Sequence, residues 1–234
     1  MDDIKEVAKA VQGVAKFGEK SLETSEKIGG FLSRVFNEPF QELSGIITDK
    51  LKYIRWKKLI KMSDDVDEIL LERGITNTRP VTPKLALPII QDSTLEEEEE
   101  LSDLWTHLLA NAMDPEYNGD LRYGFIDMIK NITGVEATIL KNFYDVLNKD
   151  GYTQDLSKIN QYTLTKEQIM GLVNIDDVTY QLSLYNLMRM HCLQPAIFKS
   201  TGVALGNEPI TINKGTDVVV MTPLGATFVQ ACMK

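Results

Sequence analysis

Residues 94–114, TLEEEEELSDLWTHLLANAMD, decide the fold, because here every local signal agrees on one buried helix. Leu101, Leu104, Trp105, Leu108, Leu109 and Ala112 recur at three- and four-residue steps and form an apolar stripe that needs cover. Asp114 and Pro115 end the run, and the carboxylates from Glu96 to Glu100 stand where a helix N-terminus is positive. Thr94 is expected to cap this helix, with Glu97 closing a capping box. The reading is a central helix on which neighbouring segments pack.

Upstream, ITNTRPVTPKLALP (residues 75–88) holds Pro80, Pro83 and Pro88. Proline lacks the donor that a helix interior uses, so an extended crossing of the core is expected. Residues 64–73 predict a helix closed by Gly74 as a left-handed cap. Phe40 to Met62 predicts a longer helix with Leu43, Ile46, Ile47, Leu51 and Ile54 on its first face. In its second half Lys50, Lys52, Arg55, Lys57, Lys58 and Lys61 alternate with Tyr53, Trp56, Leu59 and Ile60. Such interleaving suits phosphate or base contacts. The structural alternative lays the long stems over apolar surface and pairs the charges with Asp64, Asp65, Asp67 and Glu68.

Residues 1–38 read as a helical arm. Ile4, Val7, Val11 and Val14 follow heptad-like steps, and after a polar stretch Phe31, Leu32, Val35 and Phe36 form a compact apolar patch. One reading is a mobile arm for a membrane interface or a partner groove. The other is a helical hairpin packed on its own domain or on a second copy.

Downstream, Tyr123 to Asn131 predicts a short helix with Phe125, Ile126, Met128 and Ile129 inward. Val135 to Asn148 predicts another, burying Ile139, Leu140, Phe143, Tyr144 and Leu147. Thr165 and Gln168 form a capping box for a helix through Leu172, and Asp176 or Asp177 caps one from Val178 to His191 carrying Tyr180, Leu184, Leu187 and Met188. Residues 196–200, 210–212 and 218–221 alternate as strands around Gly202, Gly206 and Gly215, and a closing helix runs through Cys232. Three helices followed by a β-hairpin is the order of a winged helix. The fold expected is therefore mainly α: arm 1–38, helical core 39–132, and a winged-helix-like module 133–234 with a small β-hairpin.

Composition narrows the function. Two cysteines, Cys192 and Cys232, without a CxxC pair fit a reduced, cytoplasmic setting. Charges interrupt the first twenty residues, so no secretory leader is expected, and Asn131 to Thr133 carries no weight as a glycosylation sequon. The net charge is −9, with 12 Lys+Arg against 9 Asp+Glu in residues 1–62 and 13 against 25 thereafter. Excess negative charge disfavours nucleic acid as a partner. In the winged-helix reading the third helix opens on Asp176 and Asp177 and offers only Arg189, with Lys199 and Lys214 on the wing, so packing or dimerisation fits it better than sequence readout.

Chemistry is scarce. His107 and His191 lack a partner at helical spacing, and consecutive glutamates point in different directions around a helix, so no metal site is expected. The sequence contains no GxxxxGK[ST], GxSxG or HExxH pattern. No cofactor and no catalytic residue is expected.

Four segments together resemble a known bacterial family: ITDKLKYIRWKKLIKM (47–62), PKLALPIIQDSTLEEEEELSDLWTHLLANAMDP (83–115), FIDMIKNITGVEATILKNFYD (125–145) and VVMTPLGATFVQACM (219–233). The chain resembles the abortive infection alpha (Abi-alpha) proteins over roughly residues 40–232, most specifically where the acidic run leads into DLWTHLLANAMDP. The resemblance implies a role in defence against bacteriophage and transfers no catalytic residue. The expected function is non-enzymatic phage defence through a protein partner, a second copy, or peripheral contact with a membrane surface. The contact residues expected are Phe31, Leu32, Val35, Phe36, Arg55, Lys57, Lys58 and Lys61. The alternative is a DNA-binding regulator using the C-terminal module.

Overall fold

The computed structural model describes residues 20–37, 56–200, 210–213 and 217–233. The described chain is mainly helical, with a three-stranded antiparallel sheet toward the C-terminus. It divides into two compact units, Met1–Lys130 and Asn131–Lys234. No helix among the described residues is long and apolar enough to cross a membrane. The stripe Ile4, Val7, Val11 and Val14, the face Leu43 to Ile54, and the glycines 202, 206 and 215 lie outside the described residues.

The first unit contains α1 (Lys20–Phe36), α2 (Trp56–Glu72), α3 (Pro83–Ser93), α4 (Glu99–Met113) and α5 (Gly124–Asn131). Helix α4 packs on α2 and α3, and α1 packs on both of these as well. Its stripe is covered as expected: Leu101, Leu104, Trp105, Leu108, Leu109 and Ala112 are all buried. Each large apolar side chain so buried contributes about 1.5–3 kcal/mol relative to exposure.

The start of α4 corrects the capping expectation. Glu98, not Thr94, is the N-cap residue, and its side chain makes no cap bond. Thr94 is buried at the C-terminal end of α3, where its Oγ1 donates to Gln91 O at 2.9 Å. Glu96 holds the turn, its Oε1 accepting from the Glu97 and Glu98 N–H groups at 2.8 and 3.0 Å. The local pattern was right for a cap, but the preceding residues already form a helix that claims the threonine.

That preceding helix corrects a second expectation, because residues 83–93 are helical rather than extended. Pro83 sits in the first turn, where a missing N–H costs nothing. Pro88 lies inside the helix, where its missing N–H and the clash of its ring with the preceding turn together cost about 3 kcal/mol relative to alanine. Burial of Ala86, Leu87, Ile89 and Ile90 offsets that cost. Residues 56–72 are likewise one continuous helix, without the break expected after Met62. Gly74 (φ 75°) does close it, with Gly74 N–H donating to Leu71 O at 2.9 Å and Ile75 N–H to Leu70 O at 2.8 Å. These two bonds form a Schellman cap.

The second unit contains α6 (Gly134–Lys149), β1 (Thr163–Thr165), α7 (Lys166–Val173), α8 (Asp177–Arg189), β2 (Leu193–Pro195), β3 (Ile197–Ser200), β4 (Ile210–Asn213), β5 (Val218–Met221) and α9 (Pro223–Met233). Sheet order is β1–β5–β2, with Leu164 opposite Val219 and Gln194 opposite Val220. The β3–β4 pair forms a separate antiparallel ribbon with Phe198 opposite Ile212. Strands β1 and β2 escape sequence reading because each has only three residues and exists by pairing with β5. Thr133 and Glu136 form a complete capping box for α6, and Thr165 and Gln168 form the expected one for α7. Phe143, Leu147, Leu184, Leu187, Val219, Phe228 and Val229 build the core between these layers.

Candidate functional site

The expected contact residues fall into two groups. Phe31, Leu32, Val35 and Phe36 are buried within the first unit, where α1 packs on α2 and α3. Val81 N–H donates to Val35 O at 2.7 Å, tying the strand-like approach to α3 onto the end of α1. On the solvent side Arg34 Nη2 lies 2.8 Å from both carboxylate oxygens of Asp67, and Lys27 pairs with Asp64. Both ion pairs are solvent-exposed. Pairs of that kind are worth about 0.2–1 kcal/mol and weaken in salt, so the apolar patch supplies most of the hold.

The second group is basic. Arg55 lies outside the described residues, while Lys57, Lys58 and Lys61 line a cleft of about 420 Å³ together with Met62, Asp65, Ser93, Glu97, Glu99, Ser102 and Thr106. Lys61 Nζ is 3.8 Å from Glu99 Oε1. Burial pushes the Asp65 carboxyl up from its ordinary range, against the pull of Lys61 and with the push of Asp103, Asp64 and Glu68. Three ammonium groups therefore face three carboxylates. The hydroxyls turn toward protein: Ser93 Oγ is 3.1 Å from Met62 Sδ and from Ile90 O, and Thr106 Oγ1 donates to Ser102 O. Charge balance makes this a mixed polar cleft rather than an anion funnel.

A network missed in the sequence closes the far end of α4. Arg73 Nη1 donates to Asn111 Oδ1 at 2.7 Å and to Asp114 Oδ2 at 3.2 Å. Arg79 Nε donates to Ala112 O at 2.9 Å and its Nη2 to Asn111 O at 3.3 Å. Two guanidinium groups thus meet the carbonyl end of the helix, where positive charge is favourable. Asn111 inside the apolar run and Asp114 at its end were the available signal.

In the second unit Cys192 and Cys232 are buried, reduced thiols. Burial, helped by Glu136, pushes the Cys192 thiol up to about 12, and burial pushes Cys232 up as well. Neither is tuned as a nucleophile. Thr222 Oγ1 donates to His191 O at 2.5 Å and accepts from Gly225 N–H at 3.0 Å. A Cβ at Gly225 would run into the Cys192 carbonyl. His107 is half-buried and His191 exposed, and among the described residues no group of three or more His, Cys, Asp or Glu is placed to hold a metal.

Helix α8 presents a different surface. Asp176 caps it, its Oδ1 accepting from Thr179 N–H at 2.8 Å, which holds that carboxyl below its usual range. Asp177 pairs with Lys166, and Arg189 rests on Asn186 Oδ1 at 2.8 Å. Tyr180, Leu184 and Leu187 point inward and are buried, yet Val178, Leu182 and Tyr185 are 68%, 68% and 60% exposed. Lys199 is described only in backbone, and Lys214 lies outside the described residues.

The family model described as abortive infection alpha matches residues 55–232. No protein with a curated description and no solved structure matches the chain.

Proposed function

Because the chain belongs to the abortive infection alpha family, we propose that it defends a bacterial cell against phage, acting in the cytoplasm without catalysis through contact with a protein partner, a second copy or a membrane surface. The observation that carries this reading is the family match across residues 55–232. Residues 1–38 serve as the movable element in this reading. It is supported by an apolar patch, Phe31 to Phe36, latched from outside by the exposed Lys27–Asp64 and Arg34–Asp67 pairs. Release of the patch would present a contact surface that the resting chain covers. The winged-helix-like reading of residues 133–234 is supported by the order α6, β1, α7, α8, β2, β5 with a ribbon between the last two strands. The charges on α8 give DNA binding no support.

The test is phage plating on a lawn expressing the protein against empty vector, with survival of infected cells followed at high phage dose. Fewer plaques accompanied by arrest or death of infected cells is the expected result. Normal plating across a varied phage panel would remove the reading. For the arm, removal of residues 1–19 is the sharper truncation, because removal through residue 38 would also take away α1, which packs on α2 and α3. Truncation at residue 19 is expected to abolish protection while the remaining chain unfolds cooperatively as before; full protection by it would exclude residues 1–19 and confine the movable element to the latched patch from Phe31 to Phe36.

A further inference from the structure

We propose that the outward face of α8, made by Val178, Leu182 and Tyr185, pairs antiparallel with the same face of a second copy of this chain. This deepens, and rests on, the reading that the protein works through protein contacts. The three side chains and Arg189 follow steps of four, three and four residues, the spacing of a helix–helix seam. They are carried by a helix whose other face is already committed to the core through Tyr180, Leu184 and Leu187. Three large apolar groups in a row on one exposed helix mark a contact surface rather than scattered surface residues.

The charges at the two ends of the seam select the occupant. Asp176 and Asp177 stand at the start and Arg189 at the end, where its guanidinium rests on the neutral Asn186 Oδ1. A two-fold axis between Leu182 and Tyr185 sets Leu182 of one copy opposite Tyr185 of the other, and Val178 opposite Arg189. Each Arg189 then lies beside the second copy's Asp177, a half-exposed carboxylate that also holds Lys166 of its own chain, so one surface is complementary to itself, as a two-fold interface requires. A DNA backbone meets the acidic end unfavourably. Residues 131–234 also hold 8 Lys+Arg against 9 Asp+Glu, so two such units approach with little net repulsion, whereas residues 1–130 hold 17 against 25. One 13-residue helix face is small beside the roughly 1,200–2,000 Å² of a stable interface, so the pair is expected to be weak and concentration-dependent.

Sedimentation velocity of the full chain across a dilution series from high to low micromolar reads this directly. Wild type is expected to shift from dimer to monomer on dilution. Leu182→Asp, at an exposed position, should keep the fold and weaken the dimer by about tenfold or more, since it removes apolar burial from both copies. Arg189→Glu and Asp177→Arg should each weaken self-association, and an equimolar mixture of the two should recover it, because both end contacts then pair opposite charges. A wild-type chain that stays monomeric overturns the proposal, whether or not it binds phosphatidylglycerol vesicles. So does a dimer indifferent to Leu182→Asp, or a mixture that fails to recover. Plating results bear separately on the defence reading: normal plating by a protein that dimerises as expected would remove the defence role and leave the α8 contact standing.

Discussion

Helices α4 and α8 are nearly the same length, 15 and 13 residues, and carry apolar side chains at similar steps, yet one is swallowed by its unit and the other is half given to solvent. Ten of the residues of α4 are buried, against Tyr180, Ser183, Leu184 and Leu187 in α8. The difference is one of neighbours. Helix α4 has α2 and α3 against it, while α8 packs on α6, α7 and β2 with its inner face alone. The same periodicity therefore supports a core in one unit and an open contact surface in the other.

The largest expected effect breaks this contrast most directly. Trp105→Ala should cost about 3–5 kcal/mol in denaturant unfolding, as a large buried side chain leaves a cavity. Leu182→Ala should fall within about 0.5 kcal/mol at dilutions where the chain is monomeric, because its side chain is already in water. Comparable losses for the two would mean that α8 is covered in solution.

The next effect concerns how the second unit is closed. Gly225→Ala puts a methyl against the Cys192 carbonyl, backbone that cannot swing away. Overpacking of that kind costs about 1–3 kcal/mol, measurable as a lower melting temperature. Thr222→Val should cost less, on the order of 1 kcal/mol, for a lost helix-start bond. The order of these two separates close packing from capping as the reason for the TPLG turn.

Much of the fold was legible where chemistry is local. The stripe of α4, the inward faces of α5 and α6, and the caps Thr165 and Asp176 follow from periodicity and from side chains that bond a few residues away. What was misread depends on distant chain. Thr94 and Glu97 match a capping box, but α3 ends on Thr94 and uses it first. Pro88 argues against helix by itself, and only burial of Ile89 and Ile90 overrides it. Arg73, at the end of a helix expected over residues 64–73, and Arg79, in the proline-bearing connection, reach Asn111 only through the fold, 38 and 32 residues along the chain. The apolar patch at Phe31 was visible as a patch. That α2 and α3 cover it was not, because cover is a property of the partner.

Alkaline pH should distinguish the units. Tyr180, Cys192 and Cys232, all in the second unit, are pushed upward by burial. On unfolding, a thiol returns to an ordinary value near 8.5 and a phenol to one near 10. Above those values the unfolded chain releases protons that the folded chain keeps, so stability falls as pH rises. For Cys192 the window runs from the ordinary thiol range to about 12. Double replacement by serine or alanine should flatten the pH dependence between about 9 and 11, read by melting at fixed pH. Native thiols should also react slowly with iodoacetamide at pH 8 and quickly once unfolded.

The smallest effect belongs to Asp65 in the lysine-lined cleft of the first unit. Burial raises its pKa, so folding prefers it protonated, and the stability associated with that preference is present at acid pH and lost as pH rises through its folded value. Above that value the carboxylate sits beside Asp64, Glu68 and Asp103, with Lys61 as its compensating charge. Asp65→Asn should accordingly stabilise the first unit by no more than about 0.5 kcal/mol at neutral pH, in line with a partly exposed position. The gain should vanish below the ordinary aspartate range, where wild type is protonated too. If Asp65→Asn instead destabilises at neutral pH, Lys61 outweighs the combined burial and like-charge push, and the three lysines of the cleft depend on this carboxylate for balance.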